Sequence, residues 1–161
     1  MADLKALYEG LGYQNVITYI QSGNVIFDHS SDDLKIIKST IEATIDKKYG
    51  FDVYVDVRKA DDYQKIYQNL PFQNVELQKD GTQIVISFLE GVPEPLNIDT
   101  LLGSVIAPER LIIKENIIYL HCPNGYGKTK LSNTFIEKKL ALKATTRNLK
   151  TVAKLSEMAA Q

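Results

Sequence analysis

The chain has 161 residues, of which 44% are hydrophobic and 24% charged, and a formal net charge of −1. That length allows one domain or two small subdomains sharing an interface, and leaves no room for a second large domain. One cysteine, Cys122, excludes an internal disulfide. No segment approaches the ~20 apolar residues that span a bilayer, and MADLKALYEG lacks the basic, apolar and small-residue progression of a secretory signal. A cytoplasmic globular protein with no membrane partner is the expectation.

Asp3 to Leu11 carries Leu4, Leu7, Tyr8 and Leu11 at helical spacing, with Asp3 as the expected N-cap. VITYI and NVIFD are β-branched and aromatic runs, and a hairpin with Ser22 and Gly23 as its two loop residues pairs Gln21 with Asn24 at the tip. Ser30 or Ser31 caps a helix with Leu34, Ile37, Ile41 and Ile45 on one face, ended by Gly50. FDVYVDVR alternates and is expected as a half-buried strand over 51–58. Its Asp52 and Asp56 lie about 13 Å apart on such a strand, too far for cooperating carboxylates.

Tyr63, Ile66, Tyr67 and Leu70 define a third helix stopped by Pro71, and the residues up to Gly81 form a loop. TQIVISFLE is the longest apolar strand run and is expected in the middle of a sheet. GVPEPLN, with its glycine and two prolines, marks the expected boundary between subdomains 1–90 and 91–161, packed together as one unit. Asn97 or Asp99 caps a short helix, and RLIIKENIIYLHC reads as a hairpin. A helix bearing Leu131, Phe135, Ile136 and Leu140 follows, then a final helix capped by Thr145 or Thr146. Strands and helices in irregular alternation give an α+β fold of two small subdomains. The first resembles a ferredoxin-like β-α-β-β-α-β unit lacking its first strand.

Charge is uneven. From Pro123 onward there are eight basic and two acidic residues, a net of +6, against 11 basic and 18 acidic before it, a net of −7. A basic end on an acidic body can focus anions locally, and a lysine-rich solvated helix face explains the same counts. Gly125, Tyr126, Gly127, Lys128 and Thr129 follow a strand and precede a helix, the context of a phosphate-binding turn. The full phosphate-loop pattern fails, because Cys122 stands where its first glycine belongs. Thr145, Thr146, Arg147, Asn148 and Lys150 form a second polar turn leading into a helix, with Arg147, Lys150 and Lys154 as a basic stripe. Gln21, Ser22 and Asn24 form a third polar group, which turn formation alone also explains.

GYGKTKL, ATTRNLKTVAKL and the earlier TYIQSGNVIF together resemble the bacterial family catalogued as domain of unknown function 1697, over nearly the whole chain. The resemblance implies a small bacterial α+β protein and brings no activity, cofactor or catalytic residue. Its recurrent polar positions fall on Gln21 to Asn24, on Gly125, Gly127, Lys128 and Thr129, and on Thr145 to Asn148. Family members begin with a strand and a glycine-rich loop that this chain lacks. The resemblance therefore implies a truncation or an alternative start, and a less stable or strand-exchanged form.

Catalytic chemistry finds little support. His121 and Cys122 are neighbours on a strand and point to opposite faces, so they cannot act as base and nucleophile. Two histidines and one cysteine are too few for a closed zinc site, and no cofactor is expected. Three readings remain open: a binding module for a phosphate-bearing partner such as nucleic acid, using Lys128, Arg147 and Lys150; an enzyme on a phosphorylated small molecule; and a protein-interaction domain. An open sheet edge adds homodimer formation as a further expectation.

Overall fold

The computed structural model describes residues 1–161, which fall into two compact units, Met1–Ala60 with Leu155–Gln161, and Asp61–Lys154. In the first unit α1 (Ala2–Gly10) leads to a hairpin of β1 (Gln14–Tyr19) and β2 (Asn24–Asp28), then α2 (Leu34–Tyr49). Leu7, Tyr8, Tyr13, Val16, Ile37, Ile41 and Ile45 form its core. Asp33, rather than Ser30 or Ser31, caps α2, accepting from the Ile36 N–H at 3.2 Å. Gly50 closes it in the left-handed conformation, as its lack of a Cβ allows. At α1 the N-cap is Met1, not Asp3.

The hairpin pairs Tyr19, not Gln21, with Asn24, so its connection is the four residues Ile20 to Gly23. Both ends of that connection are left-handed, Ile20 at φ 53° and Gly23 at φ 83°. Asn24 is buried and holds the turn, donating to the Tyr19 carbonyl at 3.0 Å and to Ser22 Oγ at 2.9 Å. The strand expected over 51–58 belongs to neither sheet. Val53, Val55 and Val57 do turn onto the core, as the alternation required, but the Val55 N–H is met by Glu42 Oε1 at 3.2 Å. Alternation fixes which side chains point inward; a ladder also needs a strand alongside. The sheet of this unit therefore has two strands, without the ferredoxin-like pairing.

The second unit holds α3 (Ala60–Gln68, of which Ala60 is the last residue of the first unit), α4 (Leu77–Asp80), β3 (Ile84–Leu89), α5 (Pro95–Leu102), β4 (Arg110–Lys114), β5 (Ile117–His121), α6 (Asn133–Leu140), β6 (Ala144–Asn148) and the first half of α7 (Leu149–Ala159). Its sheet is antiparallel throughout, in the order β4-β5-β3-β6. Every residue of β3 is buried, which explains its unbroken apolar run: both faces are covered. Val85, Leu89, Leu111, Ile118, Leu120 and Ala144 face Leu101, Leu131, Ile136 and Leu140 of the α5 and α6 side. Ile84, Ile86, Phe88, Ile117 and Tyr119 face Phe72, Leu149 and Val152, with Tyr63 and Ile66 of α3.

The chain divides near residue 60, and residue 91 lies inside the second unit. GVPEPLN leads from β3 into α5, and β3 is bonded to β5 and β6, which follow it in sequence, so a boundary there would cut the sheet. Asn97 and Asp99 lie inside α5, whose N-cap is Glu94. The architecture is α+β, and no helix is long and apolar enough to cross a membrane.

Candidate functional site

The glycine turn begins where β5 ends. Gly125 has φ 100°, a conformation that side chains disfavour, and Tyr126–Lys128 form one 3-10 turn. Three of its N–H groups are spent internally: Gly125 donates to the Cys122 carbonyl at 2.9 Å, Lys128 to Gly125 at 3.2 Å and Thr129 to Tyr126 at 3.3 Å. Helix α6 starts only at Asn133, capped by Ser132, which accepts from the Phe135 N–H at 3.2 Å. The turn therefore does not open a helix, and a phosphate cradle of free amides at a helix start is not formed at Lys128.

Thr145 and Thr146 were expected as a helix cap and are instead strand residues of β6. Asn148 does the capping, its Oδ1 accepting from the Thr151 N–H at 2.9 Å. Thr146 Oγ1 donates to Asn133 Oδ1 at 2.7 Å, so the 2.7 Å contact with Ser87 must have Ser87 Oγ as donor. Asn133 Nδ2 continues the chain to the Ala144 carbonyl at 3.1 Å. Ser87 is fully buried, and this network lets a hydroxyl sit inside an apolar sheet at little cost. Burial raises the Tyr126 phenol above its ordinary value of 10.0, with the Thr146 hydroxyl opposing part of the rise. Tyr126 and Thr146 thus bring the glycine turn and the TTRN segment together. Sequence reading missed Ser87 and Asn133, although a serine in the middle of IVISFL was a visible anomaly.

Each of the expected cations has its own local setting. By strand alternation Thr146 and Arg147 point to opposite faces of the sheet, and the Arg147 guanidinium donates to the Thr146 carbonyl at 2.8 Å. Thr145 pairs with Phe88 on the Arg147 side and is half-buried. Lys150 is exposed, at the start of α7. Gln21, Ser22 and Asn24 belong to the first unit.

What the second unit does carry is a run of exposed lysines, Lys128, Lys130, Lys138 and Lys143, none of them in an ion pair. Over residues 128–143 five lysines stand against Glu137 alone, a net of +4. The nearby carboxylates are turned onto neutral donors: Glu137 accepts from the Ala144 N–H at 3.0 Å, Glu90 from the Lys143 N–H at 2.7 Å and Glu109 from Thr129 Oγ1 at 2.9 Å. Cys122 lies beneath the turn, fully buried, its thiol pushed up to about 12 by burial, with Glu109 adding to the rise.

The fold is similar to that of the conserved bacterial protein SP0830 from Streptococcus pneumoniae, with a TM-score of 0.69 and 23% sequence identity over 100% of this chain and 89% of that one. No curated protein matches the chain. The family match ends before the glycine turn, so Pro123 to Asn148 falls outside it, whereas the structural likeness covers that segment. Since the family model covers residues 1–119, well over half of the length, the chain belongs to the family described as protein of unknown function (DUF1697).

Proposed function

We propose that the second unit is a binding module for a phosphate-bearing partner, with nucleic acid as the first candidate. The observation that carries this reading is the cationic segment 128–143, where four lysines are exposed and make no ion pair. Lysine ammonium groups left without carboxylates attract a polyanion through counterion release, with no need for a preformed pocket. The reading draws on Lys128 together with Lys130, Lys138 and Lys143. Arg147 is assigned a structural role, because its guanidinium closes a backbone carbonyl.

The test is fluorescence anisotropy with short single- and double-stranded oligonucleotides at low and moderate salt. Binding should weaken as salt rises, and Lys138→Glu with Lys143→Glu should make the log-log slope shallower by about two. Lys5→Glu with Lys47→Glu in the first unit should leave the slope unchanged. An absence of binding at low salt, or equal loss in both double variants, would sink the reading.

A further inference from the structure

The two outer edges of the four-stranded sheet are finished differently. At β6 three of the outward backbone groups meet side chains: the Ala144 N–H donates to Glu137 Oε2 at 3.0 Å, the Ala144 carbonyl accepts from Asn133 at 3.1 Å and the Thr146 carbonyl from Arg147 at 2.8 Å. A further strand could add there only by displacing them.

Strand β4 has no such hydrogen-bonded finish, although Leu111 itself is buried. The Cys122 N–H donates to the Gln83 carbonyl at 2.8 Å and the Leu89 N–H to Asn116 at 2.9 Å, so the even-numbered residues of β5 bond toward β3. Ile117, Tyr119 and His121 consequently bond toward β4, to Lys114, Ile112 and Arg110. The N–H and C=O groups of Leu111 and Ile113 are left pointing to the outer edge, and no hydrogen bond within the chain reaches them. Such groups require water or a partner.

Charge at this edge selects the partner. Arg110 and Lys114 are exposed, share one sheet face and belong to no ion pair. Arg110 is held over the Phe72 ring at 4.8 Å and lies 3.1 Å from His121 Nδ1. Lys114 Nζ is held 5.7 Å over the Tyr119 ring and donates to the Asn69 carbonyl at 3.4 Å. Ile112 lies between them on the same face. A second copy in the register centred on Ile112 fits poorly: such two-fold antiparallel pairing sets Arg110 against Lys114 of the second copy and Glu109 against its Glu115, like charge on like.

We propose that β4 is a strand-addition site for an extended acidic peptide. Its motif is acidic, any, apolar, any, acidic, placing two carboxylates opposite Arg110 and Lys114 and an apolar side chain opposite Ile112. The two intervening residues exchange backbone bonds with Leu111 and Ile113. This edge is defined by the backbone of β4 and does not depend on the lysine segment, although Glu109, next to Arg110, accepts from Thr129 Oγ1 at 2.9 Å.

The experiment uses the full chain and a fluorescein-labelled peptide, Thr-Glu-Thr-Val-Thr-Glu-Thr. One control has both glutamates replaced by lysine; another is N-methylated at the two threonines flanking valine. The glutamate peptide should bind and slow amide exchange at Leu111 and Ile113, and N-methylation should abolish both effects. Lys114→Glu should weaken the glutamate peptide by about fivefold and favour the lysine peptide, as reversal of a cross-strand charge pair requires. The proposal is overturned if the N-methylated peptide binds equally, if the lysine peptide binds the parent as well as the glutamate peptide, or if the glutamate peptide does not bind at low salt. Self-association that protects Leu111 and Ile113 in place of the peptide would overturn it too.

Discussion

His121 stands at the end of β5 with Nδ1 facing the Arg110 guanidinium at 3.1 Å and Nε2 buried without a hydrogen-bond partner. Burial, and then Arg110, lower its pKa below the ordinary 6.5, with Asp80 opposing. A lowered histidine means that the unfolded chain takes up the proton first as pH falls. The stability held by the neutral ring is therefore complete above 6.5 and is lost as pH falls through 6.5 toward the lower folded value. Urea midpoints measured between about pH 5 and pH 8 should fall on the acid side, and less so in His121→Asn. Equal pH profiles for the two proteins would refute this. Only part of this was legible in the sequence. Strand alternation separated His121 from Cys122, but the cross-strand partner Arg110 depends on a register that no local pattern sets. Asn24 gave a similar result: its place in a turn was readable, and its burial under the Tyr19 carbonyl was not.

Gly81 shows how one residue can link two elements. It ends α4, its carbonyl accepts from the Lys150 N–H at 3.0 Å at the start of α7, and its backbone is ordinary right-handed helix. A Cβ there would fall on the Leu77 carbonyl oxygen and 3.2 Å from Lys150 Cβ. Gly81→Ala should accordingly lower stability by about 1–3 kcal/mol through overpacking. Gly10→Ala, with open space around it, should be neutral or stabilising by up to about 1 kcal/mol. Thermal melts of the two variants side by side would check this; equal Tm values would refute it. Sequence reading placed Gly81 at the end of a loop and attached no packing to it. At the same scale, TTRN shows why a helix cap is hard to read. Thr, Thr and Asn all suit a cap, and tertiary pairing with β3 claimed the first two for a strand, leaving the cap to Asn148. The reverse happened at 51–58, where strand alternation is present and the ladder is not.

Over the whole molecule, Cys122 is a built-in reporter. It is fully buried, with its thiol pushed up to about 12, so a thiol reagent at about pH 8 meets neither access nor thiolate while the second unit is folded. Labelling of the native protein should be slow and should rise with urea in step with unfolding followed by circular dichroism. Rapid labelling in native buffer would contradict this. The sequence by itself determined the α+β class, the apolar faces of α1 and α2, the central place of TQIVISFLE and the concentration of positive charge after Pro123, because each is fixed by residue type and short-range periodicity. Only the tertiary structure decided that the chain divides near residue 60, that Arg147 donates to a backbone carbonyl while Lys128 is exposed, and that one sheet edge is bonded by side chains and the other is not. Those outcomes rest on which distant segments pair and in what register, and hydrogen bonds between residues such as Ser87 and Thr146 leave no periodic trace along the chain.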